Sequence, residues 1–541
     1  MNNAIFSFPN PQNEPILKFA KGSTERAMLE AALKRQMEQV VEIPLIIGGK
    51  EVKTGNIKNV VMPHDHQHVI GRCHLASEVE VNAAIKAALE AKKEWENMSL
   101  VDRTSIILKV ADLISTKYRY EILATTMLGQ SKNPHQAEID AACETIDFLR
   151  YNAYFASKIY ADQPKSGLGQ LNRVEYRPLE GFVFTISPFN FTAIASNLNM
   201  SVILMGNTTV WKPAQTSVLS NYLLMKIYKE AGMPDGVINF LPGPGATIGG
   251  VTLKHKDLAG IHFTGSSGTF NHLWKSIGEN LSEFKSYPKI VGETGGKDFI
   301  FAHTSANPLQ LATAITMGSF EYQGQKCSAA SRSYIPKSIW NEVKGYLLEQ
   351  GSRIKMGPVT DFTNFVNAVI DEKSFDNCMS YLNLAKKSSE CEIILGGNGD
   401  KSVGYYIEPT IIVTTNPDFA SMKEEIFGPI ITIYIYNDEE YEATLHLCDN
   451  TSPYALTGAI FATEKYAVIK ATEILRNAAG NFYINDKPTG AMVGMQPFGG
   501  ARASGTNDKA GGPLNLIRWV SPRTIKETFN APTDFVYDFM K

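Results

Sequence analysis

No two cysteines of this sequence form a CxxC pair, and the six present, at positions 73, 143, 327, 378, 391 and 448, keep no regular spacing. That argues against a disulfide framework and against a zinc site. Long apolar runs are missing as well. None approaches the ~20 residues needed to span a bilayer, and stretches such as Val202-Ile203-Leu204-Met205 belong in buried elements. Charge of one sign is not in excess: 52 Lys and Arg face 55 Asp and Glu, a net charge of −3, with the basic residues dispersed rather than striped. Nucleic acid and membrane are therefore not expected partners. The opening Met1-Asn2-Asn3-Ala4-Ile5-Phe6 has no basic or apolar leader pattern, and Glu14 precedes the first arginine, Arg26. A reducing compartment is expected, most simply the cytoplasm, although a processed mitochondrial form would look the same. Repeats and low-complexity tracts are absent too.

What remains is an ordinary globular composition, 44% hydrophobic and 20% charged. At ~100–200 residues per domain the length calls for two to four domains. Helical periodicity is expected over 22–40, where Ser23 is a candidate N-cap and Glu25 suits the first turn. It returns over 76–97, 100–118 and 137–160. Apolar, β-branched segments then alternate with helices: Phe182–Ile186, a helix over 217–231, Val237–Leu241 and Gly260–Phe263. A second such series runs from Ile290 to about Ile484. Strand–helix alternation of this kind predicts an α/β protein with parallel sheets covered by helices, in two lobes. Residues 172–178 and 518–526 fit neither lobe and read as extended edge segments, of the sort that pair across subunits.

One cysteine carries the chemistry. Cys327 sits in Gln323-Gly324-Gln325-Lys326-Cys327-Ser328-Ala329, surrounded by small residues that leave a thiol reachable. Thirty-four residues earlier Glu293 lies in Gly292-Glu293-Thr294-Gly295-Gly296-Lys297. A thiol nucleophile with a mobile carboxylate base is an acyl-transfer pairing. Asn190, in Ser187-Pro188-Phe189-Asn190-Phe191 just past a strand, either donates to a developing oxyanion or caps its own turn. Lys212, in Val210-Trp211-Lys212-Pro213, either reaches a ribose or phosphate or is a solvated surface lysine. The turn Thr264-Gly265-Ser266-Ser267-Gly268 has free amides suited to a phosphate at a helix start. Gly243-Pro244-Gly245 fails the usual dinucleotide fingerprint because Ile248 takes the third glycine position. Glu425 and Phe427 put a carboxylate beside a ring, and 485–500 supplies a glycine-rich loop with Phe498. His64, His66 and His68 alternate as strand ligands would. Nothing supplies a fourth ligand, and Pro63 and Asp65 indicate a surface turn, so no metal is expected.

In this order and spacing the motifs resemble the aldehyde dehydrogenase superfamily, over about residues 13–529. Within it they are most similar to the glutamate-semialdehyde (1-pyrroline-5-carboxylate) dehydrogenases of proline catabolism. The stretches 186–193, 320–329 and 496–509 carry the finer match. The resemblance implies a Rossmann-variant NAD-binding domain over 1–162 and 182–294 and a catalytic α/β domain over 295–505. It also implies a β-hairpin oligomerisation flap with a C-terminal arm over 163–181 and 506–541. It assigns Cys327 as nucleophile, Glu293 as general base and Asn190 as oxyanion donor. Ser187, Lys212, Gly265, Ser266, Gly268, Glu425 and Phe427 fall where the family holds NAD. Ser328, Gly490 and Ala491 would surround a substrate α-carboxylate, Phe191 and Phe498 would flank its chain, and Glu144 would face its α-ammonium. Some relatives carry serine where this chain has Ala491, which removes one hydroxyl donor. Gln215 is no carboxylate to repel a 2′-phosphate, so NADP stays open beside NAD.

The expected activity is NAD-dependent oxidation of glutamate γ-semialdehyde to glutamate. Alternatives are a dehydrogenase for another semialdehyde, a cysteine thioesterase or hydrolase, and a non-catalytic relative. A homodimer or larger homo-oligomer is expected, with transient contact to a proline dehydrogenase.

Overall fold

The computed structural model describes residues 8–541; the opening segment 1–6 lies outside the described residues. Two seven-stranded sheets organise the chain. In the first, the strands run Lys289–Glu293, Leu258–Thr264, Phe182–Ile186, Thr209–Lys212 and Ile238–Phe240 across the sheet, all parallel, with Leu45–Ile47 and Lys50–Val52 added antiparallel at one edge. Nearly every residue of Phe182–Ile186 and Leu258–Thr264 is buried, as parallel strands covered on both faces must be. The second sheet orders Cys391–Leu395, Thr410–Thr414, Ile430–Tyr436, Ala330–Pro336, Asp298–Ala302, Thr457–Phe461 and Asn481–Ile484, parallel except at its first edge. The α/β architecture expected from the alternation is present in both series.

The chain enters the first sheet's parallel part at Phe182–Ile186, lays two strands to one side and two to the other. This makes a topological switch point between Phe182–Ile186 and Leu258–Thr264, and ligands of open α/β sheets bind beyond the strand ends there. Ser187–Phe191 and Gly265–Gly268 flank that crevice. Glu293 ends the sheet's last strand, and Asp298 begins the second sheet five residues later. The two sheets therefore meet across the segment 293–298.

Several local expectations change on folding. The first helix spans Thr24–Met37, with the Ser23 hydroxyl accepting from Arg26 N at 3.3 Å. The helix expected over 137–160 is not uniform: a short helix Pro134–Ala137 passes into π-helix at Glu138–Glu144 before α-helix resumes at Thr145–Ala161. Helix Arg119–Gln130 was hidden because nearly all of it is buried, so it shows no polar stripe. The histidine run corrects the surface-turn reading. The turn is confined to Pro63–His64, His64 is buried with its pKa pushed down to about 4 by that burial, and a strand begins at Asp65. His66 and His68 contact the carbonyls of Lys401 and Met37 at 3.0 and 2.9 Å.

The two stray extended segments pair with each other. Gln170–Pro178 and Val520–Thr528 form a nine-residue antiparallel ribbon, Pro178 opposite Val520 and Gln170 opposite Thr528. Its root is Trp519, which is fully buried. The ring of Trp519 lies 4.7 Å from that of His262 in the first sheet, and its carbonyl accepts from Asn207 Nδ2 at 2.8 Å. Gly260 leaves room for it, since a Cβ there would come within 3.1 Å of the indole. Trp519→Ala should therefore cost about 3–5 kcal/mol. The expected result is a lower thermal unfolding midpoint together with earlier proteolysis of the 520–541 arm; an unchanged midpoint would refute this anchoring role.

Candidate active site

Cys327 precedes the strand Ala330–Pro336, in a loop shaped by two strained residues. Tyr322 and Gln323 have φ of +52° and +54°, which side-chain-bearing residues rarely adopt. They are held there by buried bonds. Tyr322 Oη donates to Gln130 O at 3.0 Å, Gln323 Nε2 donates to Ser131 O and Ala368 O at 2.8 and 2.9 Å, and Gln323 Oε1 accepts from Asn367 N at 3.0 Å. Gly324, at φ +65°, approaches so closely that a Cβ would lie 2.1 Å from Gly428 O. Gly296 is needed for the same reason on the other side, where a Cβ would meet Cys327 O at 2.3 Å. The Gly295-Gly296 pair thus lets the Glu293 segment pass against the cysteine loop.

Carboxyl groups bracket the thiol. Burial raises the Cys327 pKa well above its ordinary value, and Glu293, Asp298, Glu425 and Glu144 push it the same way. Desolvation and negative neighbours thus both favour the neutral thiol in the free protein. Glu293 has its Oε1 fully buried with no hydrogen-bond partner. Desolvation pushes its pKa to about 8, opposed by Lys509 and assisted by Asp508. Such an orphaned carboxyl oxygen can turn toward a water or a reacting group without breaking a bond.

Asn190 is buried, and its Nδ2 donates to Gln325 O, two residues before Cys327, at 3.0 Å. That bond crosses between the two loops instead of capping the asparagine's own turn, and it leaves the amide's second hydrogen free. The helix that follows, Thr192–Leu204, begins on Asp140: its two carboxylate oxygens accept from Thr192 N at 3.0 Å and Ala193 N at 2.8 Å. Lys132 Nζ pairs with Asp140 at 2.7 Å and lies 3.9 Å from the Phe191 ring centre and 4.4 Å from that of Tyr322. Neither Lys132 nor Asp140 was legible in the sequence. Both are fully buried, and no spacing rule links a lysine before a proline to an aspartate in an irregular helix.

The π-turn at Glu138–Glu144 sets Glu144 beside this pair. Its pKa is raised to about 8 by burial first and Asp140 second, with Lys132 opposing. An incoming ammonium would favour its ionised form. Ser328 Oγ donates to Thr489 Oγ1 at 2.9 Å, tying the residue after the cysteine to the 489–491 loop. In that loop Gly490 takes φ +94° and is exposed, while Ala491 is half-exposed. Phe498 exchanges two backbone bonds with Ala510, of 2.9 and 2.8 Å, beneath the same loop.

Around the switch-point crevice, Ser187 is buried and accepts from Trp211 Nε1 at 2.9 Å. Lys212 is half-buried, so it is not a solvated surface lysine. Its ammonium reaches the carbonyl of Pro213 at 3.2 Å, and burial lowers its pKa. Gly265 N donates to Glu293 O, joining this turn to the strand that ends at Glu293. Ser266 caps the helix Ser267–Glu279 by accepting from Thr269 N, and a Cβ at Gly268 would meet nothing within 4 Å. The helix start is therefore open to a ligand. Glu425 Oε1 accepts from Gly296 N at 2.9 Å. Burial raises the Glu425 pKa to about 7. Phe427, at φ +60°, meets Phe189 edge-on with ring centres 5.8 Å apart. A lysine without a carboxylate partner among the described residues, an open helix start and a hydrogen-bonded carboxylate fit a dinucleotide's phosphate and ribose.

Known proteins share this fold and much of this sequence. A family model described as the aldehyde dehydrogenase family matches residues 51–525. The curated delta-1-pyrroline-5-carboxylate dehydrogenases named mitochondrial from Dictyostelium discoideum and Homo sapiens are 51% and 49% identical. They align over 99% and 98% of this chain and 96% and 94% of their own. The solved delta-pyrroline-5-carboxylate dehydrogenase of Mycobacterium tuberculosis bound with NAD superposes with a TM-score of 0.97 at 47% identity, covering 100% of both chains. Proline utilization A of Bdellovibrio bacteriovorus matches 98% of this chain and 55% of its own, with a TM-score of 0.91 and 29% identity. The chain belongs to the aldehyde dehydrogenase family.

Proposed function

We propose that this enzyme is a 1-pyrroline-5-carboxylate dehydrogenase, oxidising L-glutamate γ-semialdehyde to L-glutamate with NAD⁺ in proline catabolism. The observation that carries the reading is Cys327 in a loop bonded to the Asn190 amide and within electrostatic reach of Glu293, an unpartnered buried carboxyl, in a chain about half identical to enzymes of that name. In this reading the nucleotide unit comprises 1–162 and 182–294 and the catalytic unit 295–505. The segments 163–181 and 506–541 join subunits of a homo-oligomer. The compartment is the cytoplasm or the mitochondrial matrix, and a proline dehydrogenase makes transient contact.

Cys327 Sγ, after giving up its proton to become the thiolate, adds to the aldehyde carbon, forming a C–S bond as the carbonyl π bond becomes an oxyanion. The oxygen that becomes negative accepts from the free hydrogen of Asn190 Nδ2 and from the Cys327 backbone N–H. Such a donor is worth about 10²–10³ in rate. Lys212, Ser187 and the Gly265–Gly268 turn orient the dinucleotide, while Glu425 and Phe427 set its ribose and ring. When bound, NAD⁺ supplies the acceptor for the hydride that the aldehyde carbon loses. Glu293 then takes a proton from water, the hydroxide adds to the Cys327 thioester, and the sulfur leaves as the acid product forms. Ser328, Gly490 and Ala491 hold the α-carboxylate, Phe191 and Phe498 flank the methylenes, and Glu144 receives the α-ammonium.

Cys327→Ala should abolish NADH production from pyrroline-5-carboxylate while NAD⁺ still binds, as followed by absorbance and titration calorimetry; sustained turnover would remove the cysteine from the mechanism. The base works only when ionised, and its pKa lies near 8 in the free protein. Thioester hydrolysis should therefore rise as pH increases through about 8, and Glu293→Gln should flatten that rise and lose about 10²–10⁴ in rate. A pH limb that persists in Glu293→Gln would assign the proton to another group. Glu144→Ala should raise KM for glutamate semialdehyde about tenfold and leave the KM for succinic semialdehyde, which has no ammonium, near its starting value. Equal effects on both would take Glu144 out of substrate recognition.

A further inference from the structure

The 485–494 loop brings a second charge to the proposed carboxylate pocket. Lys487 is half-buried, and its Cβ packs near Gly318, 3.5 Å from where a Cβ on that glycine would sit. Its ammonium comes within 3.4 Å of where a Cβ on Gly490 would sit. Among the described residues that ammonium takes part in no ion pair or hydrogen bond; the neighbouring Asp486 carboxylate accepts instead from the Lys487 backbone N–H at 2.8 Å. Its charge helps to hold the pKa of buried Glu321 down, but Glu321 is already paired with Lys326 at 2.9 Å. His135 faces the same two ammonium groups. Two lysines thus share one carboxylate, which leaves positive charge uncompensated beside Gly490. The loop is tied to the catalytic segment by the Ser328–Thr489 bond, only two residues from Lys487.

We infer that Lys487 is a specificity-determining residue, whose ammonium draws and holds the carboxylate end of a carboxylate-bearing semialdehyde at the Gly490 loop. This rests on the proposed carboxylate-bearing substrate. Backbone amides alone recognise a carboxylate by short-range bonds, whereas an unpaired ammonium adds a longer-range attraction that salt weakens. Gly490 matters to this reading because a Cβ there would come within 3.4 Å of the ammonium, besides straining a backbone at φ +94°.

The test compares succinic semialdehyde, an anionic aldehyde without an ammonium, with butanal, a neutral aldehyde of equal carbon count, in the wild type, Lys487→Met and Lys487→Arg, from low to high salt. The wild type should prefer the anionic aldehyde, and its ratio of kcat/KM for the two should fall with salt. Lys487→Met should lower that ratio about tenfold at low salt, mainly through KM, and lose its salt dependence; Lys487→Arg should restore both. A wild type without preference for the anionic aldehyde would overturn the substrate proposal and this inference with it. A preference that survives in Lys487→Met, with its salt dependence intact, would overturn this inference alone. Should Lys487→Met fail to fold, a salt-independent ratio in the wild type would overturn it equally.

Discussion

The site depends on one buried ion pair. Asp140 anchors the first two amides of helix Thr192–Leu204, and Lys132 neutralises it while lying against Phe191 and Tyr322. Three segments are joined through those two side chains: the Asn190 loop, the cysteine loop and the π-turn bearing Glu144. Removing either partner would leave an uncompensated buried charge, at a cost of about 3–5 kcal/mol. The left-handed conformations of Tyr322 and Gln323 persist because this surrounding network over-determines them. Strain of that kind is found where a loop must present a group at a set position, and here the group is the thiol.

Electrostatics within the pocket explains the order of events. With Glu293, Glu144 and Glu425 all pushed up to between about 7 and 8 and the thiol pushed up by the same surroundings, the free site resists negative charge. Each carboxyl is then available as a neutral group until a ligand brings compensation. An ammonium near Glu144 would favour its ionised form. Groups whose environments hold them near their working pH in this way are suited to acid–base roles.

Architecture accounts for why these groups converge. Ser187–Phe191 and Gly265–Gly268 leave adjacent parallel strands on either side of the switch point, while Glu293 closes the neighbouring strand. The cysteine comes from the start of a strand in the other sheet. Close approach of the two is possible only because Gly296 lacks a side chain where the Cys327 carbonyl lies. The ribbon of 170–178 and 520–528 projects from the first sheet on the buried pivot of Trp519.

Much was determined by the sequence itself. Strand–helix alternation specified the α/β class because parallel strands, buried on both faces, read as continuous apolar runs. The segments around Cys327, Glu293 and Asn190 stood out in the sequence because small residues and strand-end turns leave local patterns. Only tertiary structure decided that 172–178 and 518–526 pair with each other, since an extended segment does not encode its partner. It alone decided that the helix expected over 137–160 opens into a π-turn, that Lys132 and Asp140 form the clamp, and that His64 turns inward. Those outcomes rest on burial and on contacts between residues far apart in the chain, where the energy of a charge or a strained turn is set by its surroundings and not by its neighbours in sequence.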